Sequence, residues 1–212
     1  MIFPDFATPT FIATYGYWAL AGLIGLESIG IPLPGETALI AAAALAGTTK
    51  DLNIVLVIAF AAAGAIVGDS IGFWIGHKLG FPLLMRYGAR IGLTESRLKL
   101  GRYMFMRHGG KVVFFGRFVT LLRTLTALLA GANRMQWRRF LMFNAAGGVV
   151  WATTYGLAAY FAGQQLHEIS GVVSFALVGI GVIAAVAGLL LVRRHEKSLI
   201  AEAERAFPGP LN

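Results

Sequence analysis

The sequence predicts an all-α membrane protein, a polytopic helical bundle with two opposed re-entrant helical hairpins. Three observations support this fold class: the composition is apolar, helix-breaking residues interrupt one long apolar run, and basic residues form separate clusters. Of the 212 residues, 57% are hydrophobic and only 13% are charged, whereas soluble domains carry roughly a quarter charged residues. The length therefore allows one membrane domain, residues 1–212, and no sizeable soluble domain.

Basic clusters orient the predicted segments, because Lys and Arg beside membrane spans concentrate on the cytoplasmic side. They lie in a basic cytoplasmic loop, 78–111, around Arg138, and in a cytoplasmic tail, 193–212. A span needs about 20 mostly apolar residues. Stretches of this kind, predicted to be full spans, lie at 10–26, 52–76, 140–163 and 169–192. This orientation places both termini in the cytoplasm.

Two further apolar stretches are predicted to be re-entrant hairpins. Residues 112–131 have basic clusters before and after them, so this segment enters and leaves on the cytoplasmic side. Residues 29–47 continue an apolar run that is too long for one span and contains Pro32, Pro34 and Gly35. Proline removes a backbone donor and clashes with the preceding turn. Opposed hairpins with discontinuous helices are typical of secondary transporters.

Five ionisable residues lie at predicted membrane depth, namely Glu27, Glu36, Asp69, Arg117 and Arg123. Each costs roughly 2.5–3.5 kcal/mol near the centre of a spanning helix. The sequence therefore predicts a buried polar site. The alternative is that these charged residues pair with each other and only stabilise the fold. On a continuous helix the two arginines would point about 120° apart, and a break between them would let both converge.

The two arginines suit a phosphate group, because a guanidinium forms a rigid fork and remains charged when buried. Paired with Glu27 and Glu36, Arg117 and Arg123 form a set with no net charge. A phosphate head group that binds the arginines would displace the carboxylates. Carboxylates released into hydrocarbon favour their protonated form. Glu27, Glu36 and Asp69 are therefore the candidate proton-coupling residues, and Asp69 adds one negative charge unless it is protonated or paired elsewhere.

Small residues indicate close helix packing. Gly68, Gly72 and Gly76 recur every four residues, which gives a face that lets helices approach closely. Asn144 begins a similar stripe in the next span and is predicted to hydrogen-bond between helices rather than to bind a ligand. A cationic surface helix is predicted to start near Thr94, and polybasic segments of this kind bind anionic lipid head groups.

Several runs together resemble one family. They are ESIGIPLPGE, GDSIGFWIG, GRFVTLLRT and AGANRM, followed by the pattern F-x-x-x-N-x-x-G-x-x-x-W. Over about residues 15–165 the chain resembles the DedA family, also called the SNARE-associated or VTT-domain superfamily. The resemblance implies a multi-pass protein of the cell inner (cytoplasmic) membrane with two opposed hairpins. It also implies a transporter of lipid carriers, most notably undecaprenyl phosphate, which in several members depends on the proton motive force.

The resemblance also assigns functional residues. The family's acids correspond to Glu27 and Glu36, and its arginines correspond to Arg117 and Arg123. Many relatives carry prolines where this chain has Thr120 and Ala127. The second break is therefore expected to rely on other residues, namely Gly116, Thr120, Thr124 and Thr126.

Other functions are less well supported. An enzyme is not expected, because Cys is absent and the histidines His77, His108, His167 and His195 form no acid-paired cluster. No cofactor or metal is expected. A non-selective phospholipid scramblase and a proton/cation antiporter that supports membrane homeostasis remain alternatives, although two intramembrane arginines repel cations. The expected partners are a lipid phosphate head group and anionic membrane lipids; a homo-oligomer is left open, and nucleic acid is not expected.

Overall fold

The computed structural model describes residues 9–49, 51–88, 95–118, 120–165 and 205–206. Within these residues the chain forms helices and no strand, which confirms the predicted all-α class. The helices are α1 (Pro9–Ile29), α2 (Gly35–Thr48), α3 (Ile54–Gly88), α4 (Glu95–Gly116), α5 (Thr120–Ala132) and α6 (Trp137–Gln165). The predicted span 169–192 and the tail 193–212 lie outside the described residues, except for 205–206.

Helix α3 is the central element of the described bundle. It packs against α1, α5 and α6, whereas α2 packs mainly against α6, and α4 packs against α5 and α6. Its segment Ile54–Gly80 is the one described helix that is long and apolar enough to cross a membrane, with 27 residues and a mean hydropathy of 2.3. Gly80 then interrupts the helix with φ 61° and ψ −158°, so the apolar segment ends at a residue that adopts this conformation without steric cost.

The glycine face of α3 packs as predicted. A Cβ on Gly68 would collide with the carbonyl oxygen of Gly25 in α1, and a Cβ on Gly76 would collide with that of Leu128 in α5. A Cβ on Gly72 would only touch Ala127, at 3.4 Å. Two of the three glycines are therefore required for the close approach of α1 and α5 to α3.

The buried apolar side chains form two separate clusters. The first joins α1, α2, α3 and α6 and includes Ile24, Leu39 and Trp151. The second joins α3, α4, α5 and α6 and includes Phe73 and Phe140. Large apolar side chains are also exposed on the outward faces of α1, α3 and α6, as expected of a surface that contacts lipid.

The first predicted hairpin differs from the structure in its extent. Residues 29–47 do not form a hairpin by themselves; residues 30–34 are the break, and α2 continues without interruption from Gly35 to Thr48. No proline follows Gly35 within that range, so the partner arm is α1. The chain therefore forms a helix–break–helix unit over 9–48, and its re-entrant path through a membrane stays a prediction.

The second unit also extends beyond its predicted range. Helix α4 begins at Glu95, next to the predicted start at Thr94, and bends at His108, where φ is −139°. It ends at Gly116, and α5 follows from Thr120. The predicted basic loop 78–111 is largely helical, because α3 continues to Gly88 and α4 covers 95–111.

Candidate functional site

The first break positions two carboxylates by its backbone geometry. Gly30 has φ +117°, and α1 ends in paired hydrogen bonds from the N–H of Gly30 to the carbonyl of Glu27 (3.0 Å) and from the N–H of Ile31 to that of Leu26 (3.2 Å). This is a Schellman ending, which favours glycine at its left-handed position. It places Glu27 in the last turn of α1, while Glu36 lies in the first turn of α2.

The second break positions the two arginines. Arg117 follows the last residue of α4, and Arg123 lies in α5. Gly116 permits this turn, since a Cβ there would lie 2.6 Å from the Thr126 hydroxyl oxygen. The break thus lies between the two arginines, as the sequence predicts, and Gly116 and Thr126 are two of the residues expected to form it.

Arg123 contacts both predicted glutamates. Its guanidinium forms an ion pair with Oε1 of Glu27 and donates to Oε2 of Glu36 at 3.4 Å. Its Cζ also lies 5.4 Å from the ring centre of Trp151, within the range of a cation–π interaction. The Arg123 side chain is 10% exposed and that of Glu36 is 31% exposed. One arginine therefore links the end of α1, the start of α2 and the face of α6.

Arg117 has different partners. Its Nη2 forms an ion pair with Asp69 and also donates to Oδ1 of Asn144. Asn144 in turn donates from Nδ2 to the carbonyl oxygen of Ile66, at 3.2 Å. The prediction that Arg117 pairs with the glutamates is therefore wrong for these contacts, because Asp69 on α3 lies closer to the start of the second break.

All five predicted residues still belong to one site. A narrow crevice brings Arg117 and Arg123 together, and its lining residues are Ile24, Ser28, Ala65, Asp69, Arg117, Arg123 and Trp151. The site lies between the two apolar clusters, since Asp69 follows Ala65 of the first and precedes Phe73 of the second along α3. In their ionised forms, three carboxylates face two guanidinium groups here.

One carboxylate oxygen of Glu27 lacks a hydrogen-bond partner in this site. Its Oε2 is buried and has no hydrogen-bond partner. It lies against Gly35, where a Cβ would collide with it, at the start of α2. The positive end of a helix dipole favours a carboxylate at this position. A buried acceptor without a partner is costly.

Sequence reasoning missed two features of the site. Asn144 was expected to bond between helices, and it does, but its bond to Arg117 was not foreseen. Trp151 was not assigned a role, although it occupies the last position of the F-x-x-x-N-x-x-G-x-x-x-W pattern. The seven-residue spacing from Asn144 to Trp151 places both on one face of a helix, and that was the signal available for pairing their roles.

Comparisons with known proteins agree on the kind of protein. The VTT domain model matches residues 33–161, which include four of the five predicted charged residues, all except Glu27. An uncharacterized membrane protein of Synechocystis is 43% identical over 150 residues, covering 71% of this chain and 68% of its own. An uncharacterized membrane protein of Mycobacterium tuberculosis is 39% identical over 191 residues, covering 89% and 88%.

Protein DedA of Escherichia coli K12 is 30% identical over 200 residues, covering 91% of this chain and 90% of its own. No solved structure matches the chain. The relatives thus cover most of the described helices, and several of them are named as membrane proteins.

Proposed function

The chain belongs to the DedA family of membrane proteins, which carry the VTT domain, and on this premise we propose that it moves an anionic lipid across the bacterial inner membrane. The proposed lipid is undecaprenyl phosphate, returned across the membrane by a protein with both termini in the cytoplasm. The observation that supports this most directly is the shared crevice of Arg117 and Arg123. Two buried guanidinium groups beside one opening support this proposal, because a guanidinium fork suits a phosphate group.

The two arginines have different roles in this proposal. Arg117 is held by Asp69 and Asn144, and it supplies a fixed positive charge at the wall of the crevice. Arg123 exchanges partners: a phosphate takes the place of Glu27 and Glu36, of which Glu36 is the more loosely held at 3.4 Å. Trp151 supports the flat face of the Arg123 guanidinium during this exchange.

The same exchange of partners at Arg123 would couple lipid movement to proton binding. When a phosphate occupies Arg123, Glu27 and Glu36 lose their positive partner inside a poorly solvated site. An unpaired buried carboxylate favours its neutral form, so the acids bind protons as the lipid enters and release them as it leaves. This links the lipid movement to the proton gradient.

Substitution of Arg123 by lysine tests the proposal. Lysine keeps the charge but loses the planar fork. We expect R123K to reduce transport of undecaprenyl phosphate into proteoliposomes by about tenfold or more, equivalent to about 1.4 kcal/mol. The matched control is R138K, since Arg138 is exposed on α6 and lies outside the crevice. Transport is measured with an imposed proton gradient and again after the gradient is collapsed.

The outcomes separate the alternatives. Full transport by R123K would contradict the role assigned to the Arg123 fork. Equal movement of undecaprenyl phosphate and of a neutral lipid such as diacylglycerol would instead identify a non-selective scramblase. Ion flux without any lipid movement would identify an antiporter.

A further inference from the structure

A second groove lies between α4 and the start of α6, with a volume of about 180 Å³. It forms beside the bend in α4 at His108. Phe105, which is buried, and Met135 give it an apolar floor, and Met106, which is 72% exposed, lies at its mouth. Gly109 lines it, and a Cβ there would make ordinary contacts with Phe105 at 3.7 Å and with the sulfur of Met135 at 3.8 Å.

The opposite wall of the groove is polar and cationic. It consists of Asn133, Gln136 and Arg139. Arg139 is exposed, as are Arg134 and Arg138 beside it. None of these three arginines is paired with a carboxylate among the described residues. Among the described residues, the groove therefore combines cationic side chains with an apolar floor.

This pairing of surfaces fits an amphiphile better than a soluble anion. A phosphodiester can accept hydrogen bonds from Arg139 and Gln136, while an acyl chain lies along Phe105 and leaves past Met106 into the surrounding lipid. Basic residues beside membrane helices attract anionic lipids. The groove is distinct from the paired-charge crevice, since Gly109 lies roughly 12 Å along α4 from Arg117.

We infer that this groove binds an anionic glycerophospholipid, such as phosphatidylglycerol, in the leaflet that faces the cytoplasm. The lipid is a resident ligand that joins α4 to the start of α6, and it is not the transported lipid. Its head group contacts Arg139, and one acyl chain covers the apolar floor.

Lipid binding to the purified full chain tests this inference. The protein in neutral detergent is titrated with phosphatidylglycerol and, separately, with phosphatidylcholine, and bound lipid is counted by native mass spectrometry. We expect phosphatidylglycerol to bind more tightly. R139Q should weaken its binding by about tenfold, as for loss of a charge-assisted hydrogen bond. The matched control R138Q, which removes a neighbouring exposed charge that does not line the groove, should change binding by less than about twofold.

A second pair of variants tests the shape of the groove. G109A adds a Cβ at ordinary contact distances and should retain binding, whereas G109L should fill the groove and abolish it. Equal effects of R139Q and R138Q, or equal binding of both lipids, would overturn the inference. If G109L fails to fold, the comparison of R139Q with R138Q decides the outcome. R123Q separates this site from the transport site, since it should lose transport and keep phosphatidylglycerol bound.

Discussion

At the scale of single residues, the site is held together by ion pairs between residues that lie far apart in the sequence. The cost of placing a charge in hydrocarbon was sufficient to select all five charged residues. Partner choice depends on how helices distant in sequence approach each other, and Arg117 lies 48 residues from Asp69. Charge balance alone does not decide which of three carboxylates each arginine contacts, so the pairing of Arg117 with Asp69 could not be predicted, whereas the predicted pairing of Arg123 with both glutamates is present.

The Arg117 cluster should be a main source of stability. D69N leaves a buried guanidinium without its counter-ion, which costs about 3–5 kcal/mol. N144A removes the bond that Arg117 donates to Asn144 and the bond that Asn144 donates to the Ile66 carbonyl, and it costs about 1–3 kcal/mol. Thermal unfolding in detergent should therefore rank D69N below N144A, and N144A below the parent chain. D51N is the control, because Asp51 is exposed, and a D69N protein as stable as D51N would contradict the assigned pair.

At the scale of elements, breaks were easier to predict than helix ends. Pro32 and Pro34 interrupt the chain for local steric reasons, so a break near them follows from the sequence, whereas Gly35, also predicted as a breaker, begins α2. The extent of α3 did not follow, because its basic stretch after Lys78 was assigned to a loop from its charge. Charged residues such as Lys and Arg favour helices nearly as well as alanine does, and charge alone therefore does not end a helix.

The Schellman ending of α1 should be sensitive to a single methyl group. Gly30 has φ +117° and open space around the position of a Cβ, so G30A adds backbone strain of about 1–2 kcal/mol without a clash. The matched control is G22A, at an equally open position inside α1, where alanine should be neutral or stabilising. Melting temperatures measured by intrinsic fluorescence compare the two variants. Equal shifts in both would contradict the proposed role of Gly30.

At the scale of the whole molecule, the two helix–break–helix units, α1–α2 and α4–α5, both pack against α3. The charge pattern predicts that they enter the membrane from opposite faces. The sequence supported this arrangement through the positions of its basic clusters, and the described contacts bring the two breaks together at Arg123. The contribution of 169–192 to the bundle stays a prediction, since that segment lies outside the described residues.

Orientation can be tested directly because the natural chain has no Cys. Single cysteines at two exposed positions, D51C and R138C, would report on opposite ends of the bundle. A membrane-impermeant maleimide added to intact spheroplasts should label D51C, and it should label R138C only after permeabilisation. R107C lies in the segment predicted to face the cytoplasm and should also be labelled only after permeabilisation. Labelling of D51C and R138C from the same side would contradict the opposed arrangement.

The separation of the apolar core into two clusters has a mechanical consequence. Helices α1 and α2 contribute to one cluster, α4 and α5 contribute to the other, and α3 and α6 pass through both. The charged site lies between the two clusters, and its ion pairs connect them. A ligand that broke these ion pairs would leave two separately packed apolar clusters, connected by α3 and α6. The two clusters can then rotate relative to each other with little loss of apolar contact.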